Sequence, residues 1–544
     1  MDDRKHKDGE AETILILKGI SLPYTEPSAN AVETAERKLK KAGLPVLSAE
    51  IHKRSVDARK KNDIRFVYSV QATVRGKCGE KRLRELDASP LVTDDRIPES
   101  GIRYLRGRVV VVGFGPCGMF AALRLARAGY RPIVIERGDG IEKRTEAAAR
   151  FMKTGELDEE SNVQFGAGGA GSFSDGKLVT RIGDPLAMHV LRTYREFGAP
   201  KSILTLAKPH IGTDLLFGVT AGVDREIRRL GGEIFYRTKL TGLRCDSSGR
   251  VVSALTSEGE IPCGALILAV GHSARDTYGM LLKEGFSIVG KDFSVGARVE
   301  HLQKDIDRAM YGDADVSILG HAEYTLSLRE GRRGVYSFCM CPGGEVICAS
   351  SESGGLVVNG MSRYSRDGRN ANAAIAVSVL KEDYGSDPMK GIEFQRSIER
   401  KAFESAGGGY RAPIQTLSDF MNGRSSREPS RVLPTFRGGG AVSLCDLGGI
   451  LPQGVVSLMK RGFDYFETRI RGFAAPDALL TGVETRTSAP LRILREDDMT
   501  APGRPNFYPC GEGAGYAGGI TSAAVDGLRA ANAVISEYMP PQVP

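Results

Sequence analysis

Along residues 12–75 the hydrophobic positions change period three times. An apolar run, Ile14-Leu-Ile-Leu17, gives way to helical spacing over 31–42 and then to two alternating segments, 46–53 and 64–74. Alternation of period two marks half-buried strands and a period near 3.6 marks an amphipathic helix, so this pattern predicts a small βαββ unit of ferredoxin-like type. Residues 76–105 are charged, with turn signals at Asp94-Asp95 and Pro98-Glu-Ser-Gly101, which predicts a linker. Four valines at 109–112 then break into glycines and continue as a helix to Gly129, with Phe120 and Leu123 toward a sheet. A short strand over 132–135, helices over 184–197 and 213–230, a meander through 233–243, 250–256 and 261, and a buried parallel strand over 265–270 complete an α/β pattern. Thr213-Asp214 is the expected cap of the second helix. From 286 to 470 alternating segments broken by glycine turns predict a mainly β unit, with helices over 371–380 and 391–405. An apolar helix over 521–538 closes the chain.

The chemistry lies in the glycines. In Gly113-Phe-Gly-Pro-Cys-Gly118, Gly113 permits the turn, Gly115 lets backbone approach a phosphate, Gly118 allows close packing of helix on strand, and Pro116 suits the first helical turn beside Cys117. Glu136 follows at the end of the next strand, about twenty residues past the last glycine, where a carboxylate accepts from a ribose 2′-hydroxyl and repels a 2′-phosphate. That combination predicts a dinucleotide site not built for NADP. Residues 164–178, with Gly168, Gly169, Ser174 and Lys177, are glycine-rich yet anchored by Phe165 and Phe173, as expected of a loop pressed against a flat ligand. His272, after the turn at Gly271, could approach a bound cofactor, but reads first as a structural turn histidine. A second anion-binding turn stands near the C-terminus: Cys510-Gly-Glu-Gly513 with Gly511 and Glu512, then Gly519-Ile520 at the start of the last helix. Two such turns nearly four hundred residues apart predict one extended cofactor held by both ends of the chain.

Cys339 and Cys341 need separate weighing. A thiol redox pair normally has two intervening residues at a helix start, and a zinc site needs two further ligands; neither is present, and no metal is expected. One residue apart on a strand, the two share a face but lie too far apart for an unstrained disulfide, so buried apolar thiols are expected.

The 544 residues allow two to four domains, with 41% hydrophobic and 26% charged residues as in globular proteins. The net charge of +8 is modest, but lysine and arginine gather in the first hundred residues, at Arg37-Lys-Leu-Lys-Lys41, Lys53-Arg54, Arg59-Lys-Lys61 and Lys81-Arg-Leu-Arg84. Nine cysteines, thinly spread, suit a reducing compartment rather than a disulfide framework. The start has no apolar run resembling a signal peptide and no segment approaches a membrane span, so a cytoplasmic location is expected.

The two turns, with Glu136-Arg-Gly138 and Ala269-Val-Gly271, resemble the FAD-binding pattern of the glutathione-reductase-like flavoproteins. Asn162-Val-Gln-Phe-Gly166, Phe338-Cys-Met-Cys-Pro-Gly-Gly344, residues 481–490 and the C-terminal turn are similar to a narrower bacterial family, the FAD-dependent dehydrogenases, and the likeness covers almost the whole chain. The resemblance implies FAD, with Gly113, Gly115 and Gly118 at its pyrophosphate, Glu136 and the neighbouring Arg137 at its adenosine end, and Gly511 and Glu512 at its ribityl end. The widespread pattern has Asp where this chain has Glu512. Lys177 then either faces the flavin's N1–C2=O edge or sits in solvent, and one of Cys339 and Cys341 could act at the flavin. The expected architecture is a Rossmann-like FAD-binding unit (96–285, resumed at 471–544), an inserted mainly β substrate unit (286–470) and the N-terminal α+β unit (1–95). The expected function is hydride transfer through flavin N5 to or from a small-molecule substrate. Without a second strand-glycine-helix fingerprint, any NAD(P)H binds transiently. The alternatives are an FAD-containing binding or sensory protein whose basic N-terminal unit engages RNA or an acidic partner, and a thiol-linked reductase.

Overall fold

A computed structural model describes residues 12–92, 95–439 and 441–541. The readings of the first eleven residues and of Asp94 lie outside these. In the N-terminal unit the strands run Ala88–Pro90, Glu12–Pro23, Arg65–Arg75, Val46–Asp57 across one antiparallel sheet. Phe66, Tyr68, Val70, Ala72 and Val74 alternate into the core, where they are covered by Ala31, Ala35 and Leu39 of the helix Ala29–Lys41. The expected linker is partly wrong: Glu80–Glu85 is a helix and Ala88–Pro90 pairs with Leu15–Leu17. Both pieces are too short to show a period. Main-chain bonds from Arg54 N to Thr205 O (2.7 Å) and from Ala207 N to Arg54 O (2.8 Å) tie this unit to the next.

The second unit is a parallel sheet in the order Glu233–Phe235, Ile133–Ile135, Arg108–Val112, Gly259–Leu268, Phe507–Pro509. Burial on both faces explains the continuous apolar runs. The first half of Gly259–Leu268 bends away into an antiparallel meander with Val251–Thr256 and Leu240–Cys245. Helix Ile520–Glu537, from the far end of the chain, packs on helix Pro116–Arg127 so closely that a Cβ on Gly527 would overlap the Cys117 carbonyl. Helix Thr213–Arg229 is capped by Gly212 rather than by Thr213-Asp214, and the Thr213 hydroxyl donates to the Ser172 carbonyl instead.

The inserted unit is built on a seven-stranded sheet in the order Ser327–Glu330, Arg333–Cys341, Asn370–Val379, Phe293–Leu302, Leu479–Glu484, Ala412–Thr416, Val442–Leu444. Two expectations fail here. The predicted helix over 371–380 is the strand Asn370–Val379, bonded on both sides and buried on both faces. Its alanines favour a helix in isolation, but a two-sided central position needs small residues, and packing overrides propensity. The sheet also does not end at residue 470, because Leu479–Glu484 pairs with both Phe293–Leu302 and Ala412–Thr416.

Candidate functional site

One cavity of about 380 Å³ extends from the first glycine turn to the inserted sheet, lined by residues from Val112 to Ala523. Strand Arg108–Val112 stops at Gly113, where φ is 100° and a Cβ would stand 2.5 Å from the Ala269 carbonyl oxygen. Gly115 begins helix Pro116–Arg127 with no side-chain cap, and a Cβ there would meet only Gly169 Cα, at 3.6 Å. The uncapped first-turn amides and the positive end of the helix dipole thus open on the cavity and suit an anion. Gly118 does not line the cavity: a Cβ there would overlap the Gly113 carbonyl, so it serves packing. Cys117 reaches the wall, but its sulfur lies 3.3 Å from Cys510 Sγ, and the hydrogen bond to that second thiol, together with burial, pushes its pKa up, so it stays a thiol.

Glu136 Oε2 accepts from Phe114 N at 2.7 Å, and Oε1 accepts from Gly138 N and Gly166 N, both at 2.9 Å. Three of about four carboxylate lone-pair sites are thereby used, leaving one for a ribose hydroxyl. Arg137 also lines the cavity, but its guanidinium pairs with Glu160 (2.7 Å) and Asp276 (2.9 Å) over the Phe165 ring.

The glycine-rich loop is held by a residue the sequence does not single out. Arg144, fully buried in helix Ile141–Thr154, donates to the carbonyls of Asn162 (3.0 Å), Val163 (2.9 Å) and Ala167 (2.5 Å), and burial lowers its pKa to about 10. Gly169 and Ser174 line the cavity; Gly168 packs under Ser172 and does not. Lys177 is not free in solvent: it lines the cavity, and its ammonium donates to Asp175 Oδ2 (2.7 Å) and to the Met340 carbonyl. Burial pushes Asp175 up, but Lys177 and Arg366 outweigh it and hold it at about 2.

Gly519 and Ile520 open helix Ile520–Glu537, again with no side-chain cap, and line the same cavity beside the first helix start, a Cβ on Gly171 lying 3.1 Å from Ile520 Cγ1 and 3.6 Å from Pro116 Cγ. Gly271 lines it too. Gly511 does not, since a Cβ there would crowd Cys117 Sγ at 2.9 Å. Burial pushes Glu512 up to about 7, opposed by Lys291. His272 also faces the cavity, 3.9 Å from Glu512, but burial lowers it to about 3, so it is neutral and the contact is not an ion pair.

The far wall is the inserted sheet. Pairing of Arg333–Cys341 with Asn370–Val379 loses register between Phe338 and Cys341, and Cys339 takes a φ of 45°. The bulge overturns the expectation of two buried apolar thiols on one face: Cys339 is half-buried and lines the cavity, while Cys341 is buried behind it. Beneath them Arg298 donates to the Cys339 carbonyl (2.5 Å) and to Glu484 (2.7 Å). A hydrogen bond from Cys341, then Arg298 and Lys177, hold the Cys339 thiol below its usual range against burial. Arg486, also missed, lines the cavity and belongs to a buried network in which Glu399 accepts from Arg275 (2.8 and 2.9 Å), Arg486 (2.9 and 3.2 Å) and Thr485 (2.7 Å).

Two uncapped helix N-termini side by side on one cavity, with a carboxylate beyond the first, suit the pyrophosphate and ribose of a long dinucleotide, so the residues present fit FAD. Comparison with known proteins agrees. Residues 107–308 match the family described as pyridine nucleotide-disulphide oxidoreductase, and residues 292–487 match the FAD-dependent protein, C-terminal domain-like family. An uncharacterized protein of Clostridium beijerinckii is 46% identical over 508 residues, which covers 92% of this chain and 95% of that one. The chain belongs to this family of FAD-dependent proteins and is an FAD-dependent oxidoreductase. Among solved structures it is similar to L-amino acid deaminase from Proteus vulgaris (10% identity, TM-score 0.36, 84% of this chain and 98% of that one) and glycine oxidase from Bacillus cereus (10%, 0.31, 80% and 99%). Likeness of that depth says nothing about the substrate. No helix among the described residues is long and apolar enough to cross a membrane.

Proposed function

We propose that FAD lies along the cavity with its pyrophosphate at the first turn of Pro116–Arg127, its adenosine ribose at Glu136, and its flavin end between the 164–177 loop, Glu512 and the start of Ile520–Glu537. The protein then works as a dehydrogenase or reductase, with a small-molecule substrate meeting the flavin against the inserted sheet. The continuity of one cavity from both glycine turns to that sheet carries the reading. When bound, FAD supplies two-electron hydride chemistry at N5. The chain's own contribution is placement and charge. Arg144 fixes the loop carbonyls, Lys177 holds a positive charge in the wall through Asp175, and Glu512 can hold or release a proton near neutrality.

The same proposal treats 96–285 and the C-terminal return as the cofactor unit, and the inserted unit, extended past 470, as the substrate unit. It reads the N-terminal unit as ferredoxin-like, supported by its strand order. All nine cysteines are unpaired, which supports a reducing, cytoplasmic setting. The test is a purified protein that is yellow and releases FAD on denaturation, followed by anaerobic mixing with NADH, NADPH and a metabolite panel while flavin absorbance is followed. A colourless protein that FAD does not reconstitute refutes the placement. Flavin that no donor bleaches refutes the dehydrogenase.

A further inference from the structure

We propose that the substrate is an alcohol, oxidised at a carbon that bears a hydroxyl group, and that Glu484 is the base that takes the hydroxyl proton. The inference rests on the placement of FAD above and names the substrate class for the same site.

Geometry carries it. Glu484 ends strand Leu479–Glu484 of the inserted sheet, where it is 4% exposed and lines the cavity. Its Oε2 accepts from Arg298 at 2.7 Å, and its Oε1 has no hydrogen-bond partner among the described residues. A buried carboxylate oxygen without a partner is costly, and a ligand that donates to it removes that cost. Arg298 is itself fixed, since it donates to Asn372 (2.8 Å), Asn359 (3.2 Å) and the Cys339 carbonyl (2.5 Å), so the carboxyl it holds keeps one orientation. A base held by a fixed partner, with its other oxygen free for the substrate, is the arrangement that proton transfer needs.

A second group selects the substrate. Lys177 borders the same bulge, its ammonium donating to the Met340 carbonyl and to Asp175. An ammonium has three N–H donors, so one remains for a ligand. A substrate group between the two side chains meets an acceptor at Glu484 and a donor at Lys177. A hydroxyl is both donor and acceptor, whereas a protonated amine has no lone pair to offer Lys177 and is repelled by it. As the hydroxyl proton leaves, Lys177 also stabilises the negative charge that develops on oxygen.

The titratable and charged groups packed about Glu484 are Arg298 of Phe293–Leu302 and Tyr336 and Cys339 of Arg333–Cys341. Burial pushes Glu484 up to about 7, Arg298 opposes the rise and Cys339 adds to it. Glu512 is raised into the same range but stands on the C-terminal turn given to the cofactor, not on the inserted sheet.

The step balances. The substrate's C–H bond breaks and its hydrogen leaves with the electron pair to the oxidised flavin, which is thereby reduced by two electrons. Its O–H bond breaks, the proton goes to Glu484 Oε1, and a C=O bond forms.

The experiment mixes the FAD-containing protein anaerobically with cyclohexanol, benzyl alcohol, glycerol and lactate, and in parallel with cyclohexylamine, benzylamine, alanine and NADH, and follows flavin absorbance across pH. At least one alcohol should bleach the flavin, at a rate that rises with pH through about 7. Glu484→Gln should lose at least about a hundredfold of that rate, and the pH dependence with it, while dithionite still bleaches its flavin. Infrared spectroscopy needs no substrate: part of the protonated-carboxyl band that titrates near neutrality should be missing from the variant. The wild-type pH profile and the comparison of alcohols with amines need no variant. Bleaching by amines or NADH but by no alcohol, a flat pH profile, or an unchanged infrared band in Glu484→Gln overturns the proposal and leaves the cofactor placement standing. A colourless protein that cannot be reconstituted overturns both.

Discussion

Replacing Glu399 with Gln tests whether the cleft is held together by buried charge. In the native protein this carboxylate is 1% exposed and accepts from Arg275, Arg486 and Thr485, so it joins the start of helix Arg275–Lys283 to the inserted unit. Burial pushes its pKa up, but the two guanidiniums outweigh that and hold it far below the usual carboxylate range. Glu399→Gln keeps the shape and removes the charge, leaving two buried guanidiniums to share Glu352, which lies 2.5 Å from Arg275 and 3.7 Å from Arg486. Breaking such an arrangement costs about 3–5 kcal/mol. For 544 residues the unfolding entropy is about 1.1 kcal/mol/K, so Tm should fall by about 3–4 °C. The depressed pKa also fixes a sign. The stability Glu399 contributes is present above its unfolded pKa and is lost as pH falls toward the folded value, so the gap between wild type and variant should close on acidification. Differential scanning calorimetry on the FAD-loaded proteins at neutral and acidic pH measures both. A variant within 1 °C of wild type at neutral pH, to about the precision expected of such shifts, would show that the network is dispensable.

Gly115→Val should abolish flavin retention while the apoprotein stays folded, because no protein atom crowds a Cβ there; absorbance per mole and circular dichroism separate the two effects. Gly118→Ala should do the reverse and lower Tm even without FAD, since its Cβ overlaps the Gly113 carbonyl. Arg144→Met should loosen the 162–167 loop, read as faster amide exchange there together with weaker FAD retention; unchanged exchange would refute the clamp. Glu512, raised from 4.5 to about 7, favours the folded state below its unfolded pKa and loses that contribution as pH rises through the folded value. The apoprotein's Tm should therefore fall between those limits by about 2–3 °C more than that of Glu512→Gln, for a linkage of at most about 3 kcal/mol.

The glycine turns that line the cavity were legible in the sequence because their determinants are local. A strand ending, a glycine with positive φ and an uncapped helix start are fixed by neighbours in the chain, and Gly113, Gly115, Glu136 and Gly519 stand on the cavity where the motifs put them. Gly118, Gly168 and Gly511 belong to the same motifs but are packing residues, a distinction that depends on Gly113, Ser172 and Cys117 lying against them in space.

By itself the sequence determined the parallel sheet and the two glycine turns that open on the cavity, since period and turn chemistry act over a few residues. Only the tertiary structure decided that 370–379 is a strand, that a bulge turns Cys339 into the cleft, and that Arg144, Glu399 and Arg486 hold its walls. These outcomes rest on partners far apart in sequence, 87 residues between Arg486 and Glu399 and 163 between Lys177 and Met340. Burial makes such distant contacts strong enough to override local preference.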